Sequence, residues 1–161
     1  MEPHLRQPEE ILAYRSLSRI LSSKPSALWT VGPADTALTA VQLMSDKHIG
    51  FLIVLEKGKM VGVLSERDLA RRLLLIQKSP EMTPVADIMT RDVVSVDFAH
   101  TFADCVRLMH DHGIRHLPVV DKGKPVAVVS IRDLLRETVA HHAKVIAELE
   151  LERLTFFTST A

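Results

Sequence analysis

Two spacings in the chain place a hydroxyl and a carboxylate where they can act together: Ser65-Glu66-Arg67-Asp68 and Ser130-Ile131-Arg132-Asp133. Each follows an apolar run and opens a helical apolar pattern, SERDLARRLLLI in the first case and SIRDLLRETV in the second. Ser-x-x-Asp at such a place is a capping box. The hydroxyl accepts from a backbone N–H of the first turn, and the carboxylate reaches back and complements the positive helix end. The same geometry suits a ligand, because a carboxylate at a helix start can accept two hydrogen bonds from a vicinal diol such as a ribose. The four residues alone leave both roles open.

GIRHLPVV, residues 113–120, adds a second kind of chemistry. Pro118 falls inside an apolar run, where proline removes a ladder donor and is tolerated at an edge or a bulge. Such a strand leaves backbone groups to meet a flat ring, and Arg115 and His116 supply donors for phosphate. An edge strand with two solvated polar residues is the competing reading. The matching stretch HIGFLIVL carries Gly50 and Phe51 in the places of Arg115 and His116, so two related sites would not bind equally.

Other chemistries find less support. His110 and His112 stand two apart on a helical pattern and point away from each other, which argues against one shared metal ion with His116; His141-His142 is a bare pair. The chain has no GxSxG, HExxH or Walker loop. Cys105 is the single cysteine and takes the place that Ala40 holds in the earlier helical pattern, so it reads as a small buried residue in a reducing compartment.

The elements that carry these residues are duplicated. Residues 31–72 align on 96–137 at a constant offset of 130 − 65 = 65 without gaps, with about twenty identities that include Thr36/Thr101, Leu43-Met44/Leu108-Met109, Lys57-Gly58-Lys59/Lys122-Gly123-Lys124 and Ser65/Ser130. With a three-residue insertion the match extends upstream, Leu17-x-x-Ile20-Leu21 echoing Val85-x-x-Ile88-Met89. Each unit reads strand, helix, strand, strand, helix. Asp35-Thr36 caps the first helix, Lys57-Gly58-Lys59 marks a tight turn, and Leu69, Leu73, Leu74 and Ile76 face inward from the second helix. FLIVL, apolar throughout, predicts a strand covered on both faces. The class is α+β: two β-α-β-β-α repeats forming one intramolecular pair, with an extended C-terminal helix.

The expected boundaries are an N-terminal extension over 1–14, repeat one over 15–76, a linker QKSPEMTP over 77–84, repeat two over 85–140, and a continuation of the last helix and tail over 141–161. Leu135, Val139, Ile146 and Leu149 form an apolar stripe on that helix, suited to packing back or to a second chain, and TFFTSTA reads as frayed.

Composition limits the partners. Twenty Lys plus Arg balance twenty Asp plus Glu, which argues against nucleic acid; 47% hydrophobic residues over 161 positions suffice for a folded core. No apolar run approaches a membrane span and MEPHLRQPEE does not resemble a signal peptide, so the expected location is cytoplasmic.

GVLSERDLARR, IRHLPVVDKGKP and VSIRDLL together resemble a tandem of cystathionine beta-synthase (CBS) domains, a Bateman module, over roughly residues 15–140. The pattern SERDLARR, ADIMT and IRHLPVV is similar to the small stand-alone bacterial and plant-organelle CBS-pair proteins. The resemblance implies a non-catalytic module with no required cofactor and no metal, binding adenosine ligands such as AMP, ADP, ATP or NAD-type nucleotides in two clefts between the repeats. It implies a homodimer and a regulated partner protein. The first cleft would use Ser65, Arg67, Asp68, Val94, Arg115, His116, Leu117 and Pro118. The second would use Trp29, Gly50, Phe51, Leu52, Ser130, Arg132 and Asp133, with Ile53 standing where the proline should be. The alternatives are a structural dimerisation module with degenerate clefts, a metal-binding protein, or an enzyme of unrecognised chemistry.

Overall fold

The computed structural model describes residues 13–23 and 27–159, with the side chains at 74, 76 and 155–159 outside the described set. Its elements run α1 (Leu17–Ser22), β1 (Thr30–Val31), α2 (Ala37–Lys47), β2 (Phe51–Glu56), β3 (Lys59–Ser65), α3 (Glu66–Ile76), α4 (Val85–Ile88), α5 (Phe102–Asp111), β4 (His116–Asp121), β5 (Lys124–Ser130) and α6 (Ile131–Ser159). The expected N-terminal extension over 1–14 lies mostly outside the described residues.

Both hairpins form for the same local reason. Lys57 and Gly58, like Lys122 and Gly123, take positive φ (50° and 77°, 48° and 78°), the type I′ geometry whose twist matches paired strands. Each hairpin also carries an irregularity at the equivalent point, Val54/Leu55 and Val119/Val120. Leu52, Ile53 and Val54 are fully buried, as a strand covered on both faces requires.

The repeats differ at their opening strand. β1 pairs in parallel with β2 to give the order β1-β2-β3, whereas the second sheet contains β4 and β5 alone and the opening strand is reduced to a bridge between Val96 and Val119. Proline is the cause. The Ile53 N–H donates to the Trp29 carbonyl at 3.2 Å; its counterpart Pro118 has no N–H, so only the Val96 N–H to Pro118 O (2.9 Å) and Val120 N–H to Val96 O (2.8 Å) bonds remain.

The two cores exchange their short helices. Val85, Ile88 and Met89 of the α4 segment pack with Val31, Ala40, Met44, Leu52 and Leu64 of repeat one, while Leu17 and Leu21 of α1 pack with Val96, Cys105, Met109, Leu117 and Leu134 of repeat two. Hence the first core is continuous in the chain, and the second is assembled from both ends. The stretch 77–84 folds onto the start of α2: the Ala37 N–H meets Thr83 O at 2.7 Å, the Leu38 N–H meets Pro80 O at 3.1 Å, and Thr83 is fully buried. Leu69 is buried and Leu73 packs against the core; the Leu74 and Ile76 side chains lie outside those described.

Two residues tie the segment ahead of α1 to α5 and α6. Tyr14 stacks on Phe102 at 3.9 Å and lies 4.3 Å from the His141 ring. The Arg15 guanidinium pairs with Glu137, 2% exposed, which also accepts the Arg15 backbone N–H at 3.1 Å. The α6 stripe does not pack back on its own repeat: Leu135, Val139, Ile146 and Leu149 remain 56–72% exposed. The helix runs on through Ser159, past the point where TFFTSTA reads as frayed.

Candidate functional site: two unequal clefts at the repeat junction

α3 begins where β3 ends, and its first turn carries the complete capping box. Ser65 Oγ accepts from Asp68 N–H (3.2 Å) and Asp68 Oδ2 accepts from Ser65 N–H (3.0 Å) and Ser65 Oγ (2.6 Å). Asp68 Oδ1 faces elsewhere. It meets the Thr90 hydroxyl at 3.4 Å and stands 3.7 Å from Arg72, whose guanidinium also donates to the Ile88 and Met89 carbonyls. One oxygen therefore holds the helix start while the other looks toward the stretch leading into repeat two.

Two further contacts set this helix start against the opposite repeat. Arg67 Nη1 donates to Gly113 O at 2.9 Å, just ahead of Arg115 and His116. The Val63 N–H donates to Thr90 O at 2.9 Å and Thr90 N–H returns to Val63 O at 2.8 Å, so the chain toward Val94 leaves from beside β3. Val94 is half-buried, and among the described residues no N–H meets its carbonyl, because Pro118 replaces the donor that Trp29 finds in Ile53. Leu117 and Pro118 are buried and Arg115 is exposed. The residues expected for the first cleft thus include a carboxylate with one oxygen outside the capping box, a backbone carbonyl without an N–H partner and an exposed guanidinium.

The second cleft repeats the capping geometry and little else. Asp133 Oδ2 accepts from Ser130 N–H and Oγ, both at 2.8 Å, and Asp133 N–H donates back to Ser130 Oγ at 3.3 Å. Its carboxylate is 8% exposed against 20% for Asp68, since Arg15, Ile20, Ser23, Arg136 and Glu137 close around it and leave a void of about 10 Å³. Arg132 is exposed beside it, and Leu52 is buried. Trp29 lies under Lys47 Nζ at 4.5 Å, and Gly50 lies under Glu66. A wider concavity of about 470 Å³ sits at the other end of β4, between Ser95–Phe98 with His100 and Val120–Gly123, and contains none of the cleft residues expected from sequence.

Phe51 and His116 meet face to face, centroids 4.8 Å apart and rings 16° from parallel. They are equivalent residues of the two repeats, so β2 and β4 meet at their first residues.

Glu137 and Cys105 show how this region is charged and buried. Burial alone would push the Glu137 carboxyl up, but the Arg15 hydrogen bonds and charge outweigh it and hold the carboxyl below its ordinary range. Burial, with a smaller contribution from Asp104, pushes the Cys105 thiol up to about 11, which fits a core side chain rather than a nucleophile.

The CBS domain family model matches residues 18–75 and 85–140. The chain belongs to the CBS-domain family. It is 33% identical over 118 residues to the CBS domain-containing protein YhcV of Bacillus subtilis, covering 73% of this chain and 84% of that one. Among solved structures it resembles the CBS domain protein NE2398 at 38% identity and TM-score 0.75, covering 78% of this chain and 98% of that one. It also resembles the CBS domain pair of protein MJ0100, in complex with 5′-methylthioadenosine and S-adenosyl-L-methionine, at 25% identity and TM-score 0.69, covering 79% and 98%. The chain is thus a CBS pair, a regulatory module of a family that is generally not catalytic, and a structural neighbour binds adenosine ligands.

Sequence reasoning missed four residues of these clefts. Thr90, Arg72, Arg15 and Glu137 touch or flank the two aspartates through contacts between segments far apart in the chain. The 65-residue offset contained a signal for one pair, since it sets Arg72 against Glu137 with opposite charge. Among the described residues no group of three or more His, Cys, Asp or Glu side chains is placed to hold a metal ion, and no helix is long and apolar enough to cross a membrane.

Proposed function

We propose that this CBS pair is a non-catalytic sensor of adenine nucleotides, with AMP as the leading ligand and ADP, ATP and NAD-type nucleotides as related ones, and that the first cleft is its principal site. The observation that carries this reading is the Val94 carbonyl, which Pro118 leaves without the donor that Trp29 finds in Ile53, together with the Thr90–Asp68 and Arg67–Gly113 contacts that tie the α3 start to the stretches leading to Val94 and Arg115. In the reading, Asp68 and the Ser65 hydroxyl take the ribose diol, the Val94 carbonyl accepts from the adenine amino group, and Leu117 and Pro118 border the base. Arg115, His116 and Arg67 take phosphate. The MJ0100 pair with its adenosine ligands supports the ligand class.

Binding by itself switches nothing; the ligand must favour one arrangement of the repeats over another. The Phe51–His116 stack lies where such a bias would be felt, and an unidentified partner protein would read it. The exposed stripe of α6, with Leu135, Val139, Ile146 and Leu149 spaced by four, seven and three residues, fits a second copy packed along the helix and supports a homodimer. The buried single thiol suits a cytoplasmic module.

Calorimetry with AMP, ADP, ATP and NAD tests the reading. At least one should bind with a dissociation constant well below millimolar. Absence of binding by all four at that level removes nucleotide sensing and leaves a structural dimerisation module, for which the α6 stripe alone speaks.

A further inference from the structure

Gly50 and Arg115 are equivalent residues, and the backbone treats them alike. The Glu66 N–H donates to Gly50 O at 3.1 Å and the Ile131 N–H donates to Arg115 O at 2.9 Å. Their surroundings are opposite in charge. A Cβ built on Gly50 would lie 2.7 Å from Glu66 Oε2 and 3.0 Å from its Cδ, so a carboxylate occupies the space through which an arginine stem leaves in the first cleft. There the neighbour is Ile131, which is apolar.

We propose that the second cleft selects an uncharged adenine nucleoside over a nucleotide, and that Glu66 is the residue that sets this preference. The proposal rests on the reading of both clefts as adenosine sites. A phosphate entering along the Gly50 wall meets a carboxylate where, in the first cleft, it meets a guanidinium, and the sign of the interaction reverses. Of the basic residues near this cleft, Arg15 is paired with Glu137, Arg136 stands 3.9 Å from Asp133 and Lys47 is engaged over the Trp29 ring. Arg132 is left to offset Glu66, whereas Arg115 in the first cleft has apolar Ile131 in the place of that carboxylate. Phe51 has no donor to offer in place of His116.

Titration of the wild-type protein with adenosine after saturation with ATP tests the assignment. A further equivalent of adenosine per chain is expected, bound without displacing ATP. In Asp68→Asn, which disables the first cleft, adenosine should bind at least tenfold more tightly than AMP. Adding Glu66→Gln should raise AMP affinity on the order of tenfold and leave adenosine within threefold. The inference is overturned if adenosine only competes with ATP, if AMP equals adenosine in Asp68→Asn, or if Glu66→Gln leaves their ratio unchanged. If AMP, ADP or NAD binds and ATP does not, that nucleotide takes the place of ATP in the titration; should all four fail to bind, the first-cleft reading falls separately. Adenosine alone then decides: one equivalent abolished by Asp133→Asn supports the second cleft, and no uptake ends it.

Discussion

Replacing Asp68 with alanine separates the two roles of its carboxylate. Oδ2 holds the Ser65 N–H at 3.0 Å and the Ser65 hydroxyl at 2.6 Å, so the substitution removes half of a capping box. Loss of such a cap costs about 1 kcal/mol, and because Ser65 is only half-buried, water can replace the acceptor and keep the cost near that value. For a chain of this length, that lowers the melting temperature by about 2–4 °C. The ligand effect is larger. Two hydrogen bonds from a ribose diol to a charged acceptor are worth about 1.5 kcal/mol each at the low end, so AMP affinity should fall on the order of 100-fold. Asp133→Ala provides the internal control, because it removes the same cap in the second repeat and should leave AMP binding within threefold. Thermal melts and AMP calorimetry on the two variants give both numbers. If Asp68→Ala shifts the melt and AMP affinity stays within threefold, the carboxylate is a cap and the ribose assignment is wrong.

Three other perturbations follow from contacts described above. Arg15→Ala leaves the buried Glu137 carboxylate without its partner and should cost about 1–3 kcal/mol in urea unfolding, less than for a fully buried pair because the Arg15 side chain is 46% exposed. Since Arg15 depresses the folded-state pKa of Glu137, the pair's contribution is present above the unfolded glutamate value of about 4.3 and is lost as pH falls through the lower folded value. Wild type and Glu137→Gln should therefore differ in stability at pH 6 and converge toward pH 3. Gly62→Ala places a Cβ 2.9 Å from the Thr90 carbonyl oxygen and 2.8 Å from Met89 Sδ, and should destabilise by about 1–3 kcal/mol, read as a lower urea midpoint with unchanged slope. Cys105, fully buried and with its thiol pushed up to about 11, should react with a thiol reagent at pH 8 only at the rate of unfolding; rapid modification of the native protein would contradict its placement.

Features governed by neighbours in sequence were legible from the residues. The Lys-Gly turns, both Ser-x-x-Asp boxes and the buried β2 run form where the patterns put them, because turn conformation, capping and burial period are local properties. Choice of partner is not local. Leu17-x-x-Ile20-Leu21 announces a short amphipathic segment, yet nothing in it states that it will pack on Leu117 and Leu134 rather than on its own repeat. The same holds for the Phe51–His116 stack, which exists only once the two repeats face each other. The sequence of β4 marks Pro118 as a break in a strand, but its main effect lies on the Val94 carbonyl, whose lost donor is apparent only beside the Ile53–Trp29 bond of repeat one.

The exchange of short helices orders events during synthesis. Residues 29–90 contain everything the first core needs and can close as soon as they leave the ribosome. Leu17 and Leu21 emerge earlier still, but their partners reach to Leu134, and Arg15 must wait for Glu137, 122 residues further along. The helix Leu17–Ser22 is thus made before the first core and covered after it. A nascent chain stalled between the repeats would display a finished half together with an apolar segment that has no place to go. That is a species for chaperones to hold and for proteases to find.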